Sequence, residues 1–194
     1  MRYPSEHKEQ TRERIVRAAS RRFRRGGASV GIAELMKALK LTHGGFYRHF
    51  KSKDALFAAA LEEAFADMRA RVRAALQQTG PGHELQTIIE NYLSDAHCAD
   101  AAGGCPVAAL SQEVSRHSPA VRKAFDRAIH DTATALGRFM SGRTDDERRR
   151  KAGVLLSGMA GTLALARAVS DDQLRREILA AGRRVYVEAF AGDG

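Results

Sequence analysis

The chain has 194 residues, a formal net charge of +9, four Pro, two Cys and no Trp. This length holds one large domain or two small ones with a buried core, and scarce Pro and Val-Ile-Thr alternation beside abundant Ala, Leu, Arg and Glu reads as all-α. Two cysteines make no disulfide framework, and a charged, polar N-terminus without an apolar run gives no signal peptide, so a reduced, cytoplasmic setting is expected.

The charge is concentrated at the front. Residues 1–53 carry 14 Lys/Arg against 4 Asp/Glu, a balance of +10, whereas residues 54–194 carry 18 against 19, a balance of −1. Residues 1–7 read as a frayed polar arm. A first helix is predicted from Lys8 to Arg25, with Thr11, Ile15, Ala18, Ala19 and Phe23 on its core face. Arg14, Arg17, Arg21 and Arg24 or Arg25 form a basic stripe, read either as lying along phosphates or as an ordinary exposed face. Gly26-Gly27 stops this helix.

In a second helix, Ile32, Leu35, Met36 and Leu39 share one face, with Gly31 as N-cap. After a break at Lys40-Leu41-Thr42, with Thr42 as N-cap, a short helix runs from His43 to about His49. Phe46 and Phe50 face inward there, while Tyr47, Arg48 and His49 are left outward as donors. Gly44 and Gly45 are poor helix formers, placed where the backbone must come close to something. A helix, a tight turn and a short helix with an outward polar face is the helix-turn-helix pattern, whose second helix enters a major groove. Excess positive charge beside such a motif marks phosphate-backbone binding.

These residues resemble the TetR family of transcriptional repressors. The shared features are Phe46-Tyr47, His49-Phe50 and the start of a fourth helix at Ser52-Lys53-Asp54-Ala55-Leu56. Two positions depart from the family pattern: Gly31 replaces Ser or Thr, and Lys40 replaces the turn Gly, so Lys40 takes a left-handed backbone at some cost. The resemblance implies a two-fold dimer on a near-palindromic operator, released when a small molecule enters a second domain. Carried over by position, Thr42, His43, Gly45, Tyr47, Arg48 and His49 lie on the recognition helix or its start, and Tyr47 and Lys53 match phosphate-binding positions.

The fourth helix continues to about Gln78, long enough to reach from one domain into the next, and Thr79-Gly80-Pro81-Gly82 breaks it. Further helices are predicted from His83 to Cys98, from Cys105-Pro106 and from Ser118-Pro119 to Gly142. Capping boxes at Thr144–Glu147 and Ser170–Gln173 delimit two last helices, Asp145 to Val169 and Asp171 to Phe190. The penultimate one is apolar nearly all round from Ala152 to Ala166, so it must be buried on every side. It falls short of ~20 apolar residues and is flanked by Arg148, Arg149, Arg150, Lys151 and Arg167, which excludes a membrane span. Its small residues admit another helix, and dimerisation through the last two helices, about 145–190, is expected.

The expected architecture is therefore all-α, about nine helices. A helix-turn-helix DNA-binding domain occupies 1–53, and a helical ligand-binding and dimerisation domain occupies 54–194. Double-stranded operator DNA, a second copy and a small, hydrophobic or aromatic inducer are the expected partners. Phe65, Tyr92, His97, Cys105, Phe125, Phe139 and Met159 are the candidate ligand contacts, each with core packing as the alternative role. Cys105, at a predicted helix N-terminus that favours a thiolate, and separated from Cys98 by a flexible loop, suggests an alternative redox- or electrophile-responsive repressor. Non-specific architectural DNA binding is the other alternative. His97, Cys98 and Cys105 lack zinc-ligand spacing, no cofactor is implied, and there is no Gly-rich phosphate loop, nucleophile elbow or HExxH to suggest an enzyme. His7, His83, His117 and His130 are scattered and mostly look exposed.

Overall fold

A computed structural model describes residues 3–192. Among them are ten α-helices: α1 (Tyr3–Gly26), α2 (Ile32–Ala38), α3 (His43–Phe46), α4 (Lys53–Leu76), α5 (Glu84–Tyr92), α6 (Asp95–Ala99), α7 (Pro106–Val114), α8 (Pro119–Gly137), α9 (Asp145–Ala168) and α10 (Asp172–Phe190), with a 3₁₀ turn at Gly27–Ser29. The described residues contain no strand. Helix α1 begins at Tyr3, so the described part of the predicted arm is helical; Met1 and Arg2 lie outside the described residues.

The predicted caps account for most helix starts. Thr42 and Ser52 accept from the amides of Gly45 and Ala55 at 3.2 and 3.1 Å. Thr144 accepts from Glu147 N, while the Glu147 carboxylate reaches back to Arg143 N rather than to the cap residue itself. In the second predicted box the cap is Asp171, not Ser170: its carboxylate accepts from both Gln173 N and Leu174 N. The helix predicted from His83 to Cys98 is two. Leu93 ends α5, and Ser94 restarts the chain by capping His97 N, which raises nine expected helices to ten. Helix α8 stops at Gly137 rather than Gly142. A Cβ at Gly137 would stand 3.3 Å from the backbone of Arg148 and Arg149, so the missing side chain lets α9 pass close by.

The core has two clusters. The first joins α1–α3 with the first half of α4, through Ile15, Phe23, Leu35, Met36, Phe46, Phe50, Leu56, Phe57 and Phe65, and takes Leu110, Val114 and Val121 from α7 and α8. The second gathers α5, α6, α9 and α10 around Ile89, Leu93, Leu155, Met159, Leu163 and Leu179. Helix α4 runs through both, with Met68 packed against each. Its 24 residues rise ~36 Å. Helix α9 is not covered on every side within the single chain: Val154 is 65% and Leu165 55% exposed, and Leu174 and Val185 of α10 are exposed too.

His117 is not exposed as expected. Its ring stacks on Phe57 at 4.1 Å, and Nδ1 lies 2.9 Å from Asp54 Oδ1. Ser118 N donates to the other Asp54 oxygen at 3.1 Å. The first turn of α4 is thereby pinned to the α7–α8 junction, and these hydrogen bonds hold the Asp54 carboxyl below its usual range. A carboxylate with a depressed folded-state pKa contributes stability above its unfolded pKa of about 4 and loses it as pH falls through the folded value. Asp54→Ala is expected to cost about 1–2 kcal/mol at pH 7 and less at pH 3. Urea unfolding of both proteins at the two pH values checks this.

Candidate functional site

Helix α2 ends in a Schellman motif built around the wrong residue type. Leu41 N donates to Met36 O at 2.9 Å and Lys40 N to Lys37 O at 3.0 Å, the paired bonds of that motif. Lys40 sits at φ +58, in the left-handed region that favours Gly, as its departure from the family pattern implied. The turn delivers Thr42 to cap α3, which has four residues before tightening into turns through His49. Phe46 and Phe50 are buried and stack on each other at 5.6 Å, anchoring the inner face. Tyr47 is 64% exposed, and Thr42, His43, Gly44 and Arg48 are also at the surface. The His43 ring meets Tyr47 edge-on at 5.9 Å, so the two outward rings brace one another.

The glycines differ. Neither Gly44 nor Gly45 has a positive φ, so no backbone conformation demands them. A Cβ on Gly45 would press to 3.3 Å from the capping oxygen of Thr42, which explains that glycine internally. A Cβ on Gly44 would meet nothing within 4 Å. Nothing among the described residues requires its absence.

His49 is half-buried rather than fully outward. Its Nδ1 is enclosed without a hydrogen-bond partner among the described residues. Burial, then the positive charges of Lys8, Arg12 and Arg48, push its pKa down, so the ring is neutral and edges a cleft lined by Lys8, Thr11, Lys40, Thr42 and Arg48. Arg24 leaves the predicted stripe altogether: it is 4% exposed and turned inward, whereas Arg14, Arg17, Arg21 and Arg25 are exposed. Lys53 opens α4 behind its Ser52 cap, half-buried and interacting with the rest of the chain.

A cavity of about 340 Å³ lies between α4, α5, α6 and the α6–α7 loop. Of the candidate ligand contacts, Tyr92, His97 and Cys105 line it; Met68, Arg71, Val72, Ala75 and Ile88 supply most of the rest. Phe65, Phe125, Phe139 and Met159 do not. Phe65 and Phe125 pack edge-to-face at 5.9 Å in the first core cluster, and Phe139 and Met159 belong to the second. Apolar residues at helical spacing were consumed by the core. The α4 contributors were missed because Met68 and Val72 share the periodicity of α4's packing face.

The His97 ring is held at both nitrogens. Nδ1 lies 2.6 Å from Tyr92 O, and Nε2 accepts from Cys105 N at 3.0 Å, which places the proton on Nδ1. Burial lowers its pKa and keeps it neutral. The thiolate expected at Cys105 is not favoured. Burial pushes the thiol up and outweighs the Tyr92 hydroxyl and the helix-start amides of Ala108 and Val107, which lower it. Cys105 is 1% exposed, with Sγ 4.0 Å from Met68 Sδ, and the loop before it is tied down by arginines rather than flexible.

The family profile described as bacterial regulatory proteins, tetR family, matches residues 15–60, and that of the LmrA/YxaF-like transcriptional regulator C-terminal domain matches residues 81–178. The HTH-type transcriptional repressor NemR of Escherichia coli (strain K12) is 30% identical over 134 residues, 67% of each chain. The repressor DhaR of Mycobacterium sp. (strain GP1) is 28% identical over 114 residues, 57% of this chain and 56% of that one. Among solved structures, a TetR family regulator from Cytophaga hutchinsonii superposes with a TM-score of 0.76 at 20% identity, covering 94% of this chain and 96% of that one. The reduced form of E. coli NemR gives 0.71 at 24%, covering 90% and 96%.

Lys40 bears a backbone strain that a glycine would not. Lys40→Gly is expected to stabilise the protein by about 1 kcal/mol, raising its thermal midpoint. Calorimetry of the two proteins tests this; an unchanged or lower midpoint would show that the turn is not strained.

Proposed function

The chain belongs to the TetR family of bacterial transcriptional regulators, and on that premise we propose that it is a repressor that binds a near-palindromic operator as a homodimer and is released by a small apolar ligand. Residues 1–53 form the DNA-binding unit; residues 54–194 sense and dimerise. The observation that carries the reading is the outward face of the α3 turn, where donors surround a backbone stripped of side chain at Gly44. The front of the chain holds the whole positive excess.

Arg48 reads bases, because a guanidinium pairs bidentately with guanine O6 and N7. His43 is the second reader, and the glycines admit the groove or a thymine methyl. Tyr47, Lys53 and Thr42 hold phosphates, with Lys40 and the neutral His49 lining the cleft beside them. Arg48→Ala is expected to cost ~1–3 kcal/mol on the operator and to relax base preference, while Lys53→Ala weakens all sites alike and flattens the salt slope. The operator is first selected from random duplexes; titration against operator and scrambled DNA at two salt concentrations then decides. Equal losses on both DNAs for Arg48→Ala would remove its reading role. Loss of all preference at high salt in the native protein would instead favour an architectural binder.

Two recognition elements in consecutive major grooves, ~34 Å apart, require a two-fold pair. The uncovered apolar residues Val154, Leu165, Leu174 and Val185 of α9 and α10 offer the surface, since a monomer gains nothing by exposing them. Leu165→Glu is expected to shift sedimentation at micromolar concentration from dimer to monomer and to abolish operator binding. A dimer unchanged by this substitution would move the interface elsewhere.

The cavity beside α4 is the effector site in this reading, and its apolar wall of Met68, Val72, Ala75 and Ile88 selects an apolar ligand. Burial of Cys105 favours ligand binding over thiolate chemistry as the trigger. A metabolite that raises the thermal midpoint is expected to lower operator affinity, and to do neither in Ala75→Trp, which fills the cavity. Stabilisation that persists in Ala75→Trp would place the ligand outside this cavity.

A further inference from the structure

The wall between the cavity and the DNA-binding unit is the loop from Asp100 to Gly104, and it is held almost wholly by arginines donating to its carbonyls. Arg167 of α9 donates to His97 O at 2.7 Å, Cys98 O at 3.0 Å and Asp100 O at 3.4 Å. Arg71 of α4 donates to Gly103 O and pairs with Asp100 at 3.4 Å. Arg24 of α1 donates to Gly103 O at 3.1 Å and Gly104 O at 3.2 Å, to Ser20 O at 3.3 Å, and to Asp67 of α4 at 2.9 Å. The Arg24 side chain is wholly enclosed, at 0% exposure, so a withdrawn carbonyl leaves one of its buried donors unpaired. The same residues, Asp100, Gly103, Gly104 and Cys105, face the cavity.

Helix α1 connects this loop to the recognition element. Near its C-terminal end Arg24 grips the loop, and near its N-terminal end Lys8 and Thr11 edge the cleft shared with Thr42, Gly45, Arg48 and His49. Between them Ile15, Ala19 and Phe23 are packed in the same core cluster as Phe46 and Phe50. A continuous 24-residue helix moves as a unit.

We propose that Arg24 is the positioning residue through which the cavity controls DNA binding: it binds the α6–α7 loop to α1, so that a molecule pushing the loop outward carries α1, and the recognition element packed on it, out of register with the groove. This rests on the reading of the cavity as the effector site, and it makes α1 a lever alongside α4. Withdrawing the loop without moving α1 would strand a buried guanidinium, so the loop and α1 move together.

The loop can be displaced without any effector. A Cβ on Gly104 would stand 2.7 Å from Asp100 O and collide with the Arg167 guanidinium, so Gly104→Ala forces the loop to shift. Arg24→Met keeps the apolar stem and removes every donor. Operator titrations of the native dimer, the two single variants and the double variant form a cycle. Gly104→Ala is expected to weaken operator binding about tenfold in the native background and less than about twofold beside Arg24→Met. The same fold-loss in both backgrounds, as a mere structural staple would give, overturns the proposal.

Should Arg24→Met not fold, hydrogen exchange in Gly104→Ala alone supplies the reading. Faster exchange of α1 amides from Thr11 to Phe23, together with those of the loop, is expected; a loosened loop with α1 fully protected overturns the proposal. Neither measurement uses a ligand. An absent effector would therefore undo the reading of the cavity without touching the cycle, and additive losses would undo the lever with that reading intact.

Discussion

A guanidinium that has lost all contact with water must satisfy its donors from the protein, and it does so only where acceptors can be brought to it. Arg24 meets this requirement with backbone carbonyls of Gly103 and Gly104, its own helix's Ser20 carbonyl and the Asp67 carboxylate. Burial lowers its pKa, but Asp67 opposes the shift and the group stays charged. Much else follows from this single demand. The loop 100–104 is held against α1, α4 is held beside it through Asp67, and the cavity acquires a wall whose position is tied to the DNA-facing helix. Glycine at 103 and 104 is what the arrangement requires, since a Cβ at either position would run into an arginine that the loop's carbonyls engage.

The opposite end of the molecule is organised by exposure rather than burial. Phe46 and Phe50 fix the inner face of a very short helix, leaving the outer face to polar groups and to a glycine with open space beside it. Strain at Lys40 and an unsatisfied, charge-crowded His49 both sit on the cleft between α1 and this helix. Such costs cluster at the same cleft as the positive charge of Lys8, Arg12 and Arg48. The second costly feature is the set of bare apolar residues on α9 and α10.

Between these ends the cavity has one polar, tightly bonded side and one apolar side. His97 is locked as a neutral tautomer by two backbone groups, and Tyr92 and Cys105 are enclosed beside it. Met68, Val72 and Ala75 face them from α4, the helix that also begins at Ser52 beside the recognition element. The cavity wall and the helix-turn-helix are therefore joined through two helices, α1 by way of the loop and α4 by its own length.

Local chemistry wrote much of this into the sequence. Thr42, Ser52 and Thr144 cap their helices because a hydroxyl and the amide three residues on are all that a cap needs. The inward Phe46 and Phe50 and the outward Tyr47 and Arg48 likewise follow from short-range periodicity, and the left-handed turn at Lys40 was implied by the family resemblance. The family of the chain was legible for the same reason, since its motif is a run of neighbouring residues. What lay beyond reach depended on residues distant in the chain. Arg24 looked like one more cation of a surface stripe until residues 103 and 104 closed over it, and His117 looked free until Asp54 and Phe57 met it. The cavity was misread most, because periodicity names the apolar face of a helix but not which part of that face the packing leaves unfilled: Phe65, Phe125, Phe139 and Met159 went to the core, and Cys105 lost its thiolate to burial. Caps, turns and helix faces are set by neighbours within a few residues, whereas burial, and with it every shifted proton and every hollow, is a property of segments meeting across the whole chain.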